Sequence, residues 1–183
     1  MQRRHHYEQA FEHHLRAHRI PYVSVNEARK ALMPSDARLR AICADTSVVS
    51  LKSFDFVIYP DAEGDNLIVD VKGRKLGNRA SRHGVQRLEN WVTQDDVRSL
   101  GAWESLFGPG FRATFAFLYL CEQQPPDGLF SEILEHRGRW YALVMASLEQ
   151  YAAAMRPRSV RWRTMHLDGA AFDQIAQRLV GTG

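Results

Sequence analysis

The chain has 183 residues, 25% charged and 45% hydrophobic, with a formal net charge of +3, proportions that suit one globular domain with its own core and exclude a disordered or fibrous chain. Its longest apolar run, Phe115 to Cys121, is too short to span a bilayer, and the polar start MQRRHHYEQ lacks the apolar stretch of a signal peptide, so a cytoplasmic protein is expected. Two distant cysteines, Cys43 and Cys121, read as reduced, packed thiols rather than as a metal-binding pair.

Along the chain, Tyr7, Phe11, His14, Leu15 and His18 recur at three-four spacing and predict an amphipathic first helix, which Pro21 ends before a short strand, YVSV. A second helical segment is expected from Glu27 to Leu32, while LRAICA fits either a helical turn or a strand. Two strands follow, Ser53 to Tyr59 and Leu67 to Gly73, joined by a turn rich in Pro, Asp, Gly and Asn. Thr93, with Asp96 three residues on, predicts a helix N-cap, and Val97, Leu100, Trp103 and Phe107 form that helix's apolar stripe until Gly108-Pro109-Gly110 stops it. ATFAFLYLC predicts a fully buried central strand. Beyond it, FSEILEHRGRWYALVMA reads as a hairpin turning at Arg137-Gly138, SLEQYAAAM as a helix, SVRWRTMHL as a strand and DGAAFDQIAQRLV as a closing helix. With no repeat or linker, this order predicts one α/β domain with a mixed sheet.

The two strands after residue 50 each carry an aspartate among residues that favour burial, Asp55 and Asp70. A turn from Pro60 to Asp65 sets Tyr59 opposite Asn66, Val57 opposite Ile68 and Asp55 opposite Asp70, with Cβ atoms of facing residues roughly 4.5–5.5 Å apart. Side-chain alternation puts Lys72 on the face of Asp70. Two ionised carboxylates are balanced only in part by one ammonium. A divalent ion answers better, and Mg²⁺ binds through one or two carboxylates together with water and substrate phosphate. Lys72 would then orient an attacking water or offset transition-state charge.

Basic charge points to the same partner class. Arginine outnumbers lysine by 20 to 4, and between Asp70 and Glu89 there is no acid while Lys72, Arg74, Lys75, Arg79, Arg82 and Arg87 supply positive charge. A second basic cluster, RPRSVRWR, spans Arg156 to Arg163. Both read as phosphate-contacting surfaces, with solvated basic loops as the alternative. Trp162, inside the second cluster, is expected to pack on the core from a strand, with base stacking as the alternative, and Trp91, Trp103 and Trp140 are expected in the core. His14 and His18 stand at the i, i+4 spacing of zinc ligands, but no HExxH pattern or cysteine pair accompanies them.

Asp55, fourteen residues, then Asp70-Val71-Lys72 at the end of a hydrophobic strand resembles the PD-(D/E)XK signature of restriction-endonuclease-like nucleases, with Phe54 standing where the pattern has its proline. The resemblance spans about Glu8 to Cys121. It implies an α/β fold with an αβββαβ core and a mixed central sheet: one nuclease-like domain, core about 1–121, with a C-terminal α/β extension at about 122–183. It also implies a metal-dependent endonuclease that hydrolyses phosphodiester bonds of nucleic acid, with DNA the expected partner, Mg²⁺ the cofactor and Mn²⁺ a substitute. A homodimer would suit cutting of both strands.

Members of this superfamily often place a glutamate on the first helix. Glu8, on the shoulder of the apolar stripe, is preferred there to Glu12, an arrangement most similar to the Holliday-junction-resolvase-like branch. The implied catalytic set is Glu8, Asp55, Asp70 and Lys72, with Glu8, Asp55 and Asp70 as metal ligands, and Arg74, Lys75, Arg79, Arg82 and Arg87 as backbone-binding residues. Gln86 and Gln94 are candidates for a polar helper on the following helix. The rival reading is a noncatalytic nucleic-acid-binding protein on the same scaffold, with salt-dependent binding and no cleavage. A third is an interaction protein whose basic charge is incidental.

Overall fold

The computed structural model describes residues 5–25, 40–42, 48–60, 64–76, 88–125, 130, 132–177 and 179. The helix expected from Glu27 to Leu32 falls outside them. A helix, α1 (His5–Ala17), opens the fold and leads into β1 (Tyr22–Ser24). The undecided LRAICA region contributes β2 (Arg40–Ile42), which forms a separate two-stranded hairpin with β3 (Val48–Ser50). Next come β4 (Phe56–Ile58), β5 (Asn66–Lys75), the short β6 (Val92–Thr93), α2 (Gln94–Phe107) and β7 (Phe111–Cys121).

The principal sheet has six strands in the order β1, β4, β5, β7, β9 (Arg139–Ser147) and β8 (Glu132–His136). It is mixed: β5 runs parallel to β7 across all ten of its residues, and every other pair is antiparallel. The expected hairpin register holds in β4, where Val57 faces Ile68 and Phe56 faces Val69. β7 reads as an unbroken apolar run because both of its faces are covered. On one face Ile68, Phe115, Phe117 and Tyr119 pack with Leu100 of α2, with Tyr151 of α3 (Leu148–Ala154) and with Phe172 of α4 (Gly169–Ile175). On the other, Val69, Ala116, Leu118 and Leu143 pack with Phe11 and Leu15 of α1. Each fully buried Phe or Leu here contributes roughly 1.5–3 kcal/mol.

The C-terminal third is woven into this sheet, since β9 pairs with β7 from Trp140 to Ser147. Its hairpin turns where expected, with Arg137 and Gly138 both at positive φ. Two expectations need correction. The SVRWRTMHL segment is not one strand but a second hairpin, β10 (Arg156–Ser159) and β11 (Thr164–His166), whose tip spans residues 160–163; β11 pairs in turn with β6. Trp162 therefore stands at a hairpin tip, 69% exposed, rather than in the core. The closing helix also stops early, at Ile175, because Gln177 leaves it to exchange two backbone hydrogen bonds with Met145, on the part of β9 that β8 no longer covers. Trp91, Trp103 and Trp140 are half-buried, and Trp103 and Trp140 pack against the core cluster.

Candidate active site

Strand lengths create the site. β4 begins only at Phe56, opposite Val69, whereas β5 continues to Lys75, so beyond Val69 the β4-side edge of β5 has no strand partner among the described residues. There the chain departs from the simple ladder that would set Asp55 opposite Asp70. The Asp55 N–H donates to Val69 O at 2.9 Å, and its carboxylate takes the place of a strand carbonyl by accepting the Val71 N–H at Oδ2, 2.7 Å away. A cleft of about 640 Å³ opens along this edge, lined by Glu8, Asp55, Asp70, Lys72, Trp91 and Asp96 among others.

Glu8 reaches the cleft because α1 lies very close to β5. The ring of Tyr7 occupies the space a side chain at Gly73 would need: a Cβ there would come within 2.1 Å of it. The Tyr7 hydroxyl then donates to Arg74 O at 2.9 Å, fastening the first turn of the helix to the strand. Glu8, next in sequence, follows from that docking.

Lys72 is clamped between two carboxylates. Its Nζ lies 2.7 Å from Asp70 Oδ2 and 3.4 Å from Asp96 Oδ1, and 5.9 Å from the centre of the Phe115 ring. The Lys72 and Asp70 side chains are only 16% and 14% exposed. Asp96 was expected solely as a helix-capping partner, and it does close a capping box with Thr93, each side chain bonding the other's backbone N–H. Its free face serves the cleft. Lys52 joins from outside, donating to Asp96 Oδ1 at 2.9 Å and to Thr93 Oγ1 at 3.0 Å. Asp96, Lys52 and Thr93 are thus site residues absent from the sequence-derived set. The Thr93-x-x-Asp96 spacing was the available signal, but it announced only the cap.

The acids are not electrostatically equal. Burial, then repulsion from Asp70, pushes the Asp55 carboxyl up to about 7, with a smaller push from Glu8; the Val71 N–H and Lys72 pull it back only in part. Asp70 is also raised, by burial above all, against the pull of Lys72. Burial acts on Asp96 in the same sense, yet Lys72 and the bonds from Lys52 and Thr93 outweigh it and hold that group at about 2. The cleft therefore concentrates a carboxylate pair that its own lysine leaves under-neutralised.

Such a set, hard oxygen donors grouped around one ammonium, fits Mg²⁺ or Mn²⁺ in chemical type. Among the described residues, no three acidic, histidine or cysteine side chains are gathered closely enough to hold a metal ion. Glu8, Asp55 and Asp70 share one cleft but are not a ready-made cage, so an ion would rely on two carboxylates with water and substrate oxygens.

The basic residues are placed less uniformly. Lys75 lines the cleft and is exposed. Arg74 also lines it, but its guanidinium lies 4.1 Å from the centre of the Trp91 ring and donates from its two terminal nitrogens to Gly73 O and Trp91 O, while its buried Nε has no hydrogen-bond partner among the described residues. Arg79, Arg82, Arg87 and Gln86 fall outside the described residues. Gln94 does not line the cleft: its amide contacts Met165 and Arg163 on the second hairpin.

Among the described residues no helix is long and apolar enough to cross a membrane. No family model matches the chain, and no curated protein does. Among solved structures, Hjc, a Holliday junction resolvase from the archaeal hyperthermophile Archaeoglobus fulgidus, is similar at a TM-score of 0.39 and 10% identity, over 78% of this chain and 84% of that one. A likeness of that size assigns neither a family nor an activity to this chain.

Proposed function

We propose that the chain is a metal-dependent nuclease of the PD-(D/E)XK type that hydrolyses phosphodiester bonds in nucleic acid, with DNA the expected substrate. The observation that carries this reading is the pairing of Asp55 and Asp70 beside Lys72 in an open cleft, with both carboxyls raised. A purely structural ion pair has no use for a second carboxylate that its lysine cannot neutralise, nor for open volume beside it. The order α1, β1, β4, β5, α2, β7 also follows the αβββαβ order of that superfamily, with the β2–β3 hairpin and the short β6 inserted.

Asp55 and Asp70 would hold the ion, with Glu8 positioning water at the cleft, or joining the ligand set only if α1 draws closer when substrate binds. When bound, Mg²⁺ would polarise the scissile phosphate and lower the pKa of a nearby water. The protein's own contribution is positioning. Val71 N–H fixes the Asp55 carboxylate, and Asp70 and Asp96 fix the Lys72 ammonium, which can donate to a phosphate oxygen or hold the attacking water in line. Lys75 and Lys52 would attract the phosphate backbone.

The test is cleavage of supercoiled, linear, branched and single-stranded DNA with Mg²⁺, Mn²⁺ or EDTA. Cutting is expected only with metal, and Asp70→Asn should lower it at least about 100-fold. Metal-dependent cutting that survives in Asp70→Asn would overturn the site; binding without cutting would favour the noncatalytic scaffold.

A further inference from the structure

We propose that the β10–β11 hairpin is a second nucleic-acid contact that stacks an unpaired base on Trp162, directing the cleft toward substrates with a single-stranded segment. This rests on the nuclease reading only for the class of ligand. The tip displays Val160 and Trp162, 87% and 69% exposed. It is a held turn: Arg163 N–H donates to Val160 O at 3.2 Å and Trp162 N–H to Ser159 Oγ at 3.3 Å. An indole presented this way loses little freedom on binding and offers a π-face to any base.

The charge around it selects the partner. From Arg156 to Arg163 there are four arginines and no acid, and the Arg161 guanidinium lies 5.1 Å from the centre of the Trp162 ring. Arg156, Arg158 and Arg163 make ion pairs of 3.9, 3.4 and 3.6 Å with exposed acids. Solvated pairs of that kind contribute little and exchange readily for phosphates. One exposed aromatic interleaved with arginines matches a base between two phosphates; a protein or lipid partner would call for a broader apolar patch.

The hairpin is also built into the cleft wall. β11 pairs with β6, whose Val92 and Thr93 line the cleft, and Arg163 O accepts the Gln94 N–H at 2.9 Å. Trp91 separates the cleft from a second cavity of about 350 Å³ that Arg158 lines, with the Arg158 guanidinium 5.4 Å from the Trp91 ring centre. A basic and aromatic path thus leads from Arg74 and Trp91 to Arg158 and the tip.

Fluorescence anisotropy in EDTA, with labelled single-stranded, blunt-duplex and overhang-bearing duplex oligonucleotides, tests the assignment apart from cleavage. Trp162→Ala should weaken binding to single-stranded and overhang probes about 5- to 100-fold and to blunt duplex less than about twofold, with Trp162→Phe retaining most of the affinity. Arg161→Gln should reduce the salt slope by about one. Unchanged affinity in Trp162→Ala, an equal loss on blunt duplex, or no binding by the unaltered protein would overturn the proposal. A protein that cuts DNA while Trp162→Ala binds normally would lose the hairpin assignment and keep the nuclease one. Trp162-dependent binding with no cutting in Mg²⁺ would do the reverse.

Discussion

Asp55 and Asp96 border the same cleft, yet they couple to pH with opposite signs. Asp96, held at about 2, adds stability that is present above the ordinary carboxylate range and lost as pH falls toward 2. Asp55 keeps its proton in the folded state up to about 7, so stability declines as pH rises from about 4, where the unfolded chain ionises, to about 7, and stays at that lower level above it. Asp55→Asn can still accept the Val71 N–H while losing the repulsion. Urea denaturation should find this variant more stable than the unaltered protein by up to about 4 kcal/mol near pH 8 and equal to it near pH 4. Millimolar Mg²⁺ should raise the melting temperature of the unaltered protein and leave Asp55→Asn nearly unmoved.

Among the elements, α1 and β5 depend on each other through a residue with no side chain. Gly73→Ala forces a methyl group into the Tyr7 ring, so the helix must lift or Tyr7 must leave its bond to Arg74 O. A loss of about 2–4 kcal/mol in denaturant unfolding is expected, partly relieved by adding Tyr7→Ala, because overpacking rather than helix propensity is the cause. Cleavage should fall further than stability alone explains, since Glu8 rides on the displaced turn. Much of this was legible in advance. Apolar spacing gave α1 and the buried β7, the turn gave the register of Phe56 to Ile58 against β5, and the Thr93-x-x-Asp96 spacing gave the cap, because each is a local pattern. What no local pattern carries is non-local contact: Asp96 reaching Lys72, Lys52 arriving from residues upstream of β4, and β11 docking on β6. The VRW sequence alternates as a strand would, and nothing local reveals that residues 160–163 turn.

At the scale of the whole molecule, the C-terminal third supplies sheet as well as surface. β9 covers the flank of β7 from Thr114 to Cys121, and Tyr151 donates from α3 to Asn90 O at 2.8 Å, steadying the approach to β6. Asn90 in turn bonds Leu167 at both its N–H and its carbonyl. A fragment ending at residue 121 would retain Glu8, Asp55, Asp70 and Lys72 but expose the longest apolar strand along a bare edge. It should fail to fold cooperatively, with no sigmoidal urea transition by circular dichroism and a concentration-dependent loss from solution. A folded, monomeric fragment would show instead that the final 62 residues are dispensable to the core.

The late start of β4 has a last consequence, for self-association. Among the described residues no strand lies beside the far half of β5 on that flank, so a stray strand from another molecule could pair there, and Lys75, exposed at the end of β5, is the charge that discourages such docking. Neutralising Lys75 to weaken nucleic-acid contacts would therefore also weaken colloidal protection, and preparations of that variant should clump at lower concentration than the parent.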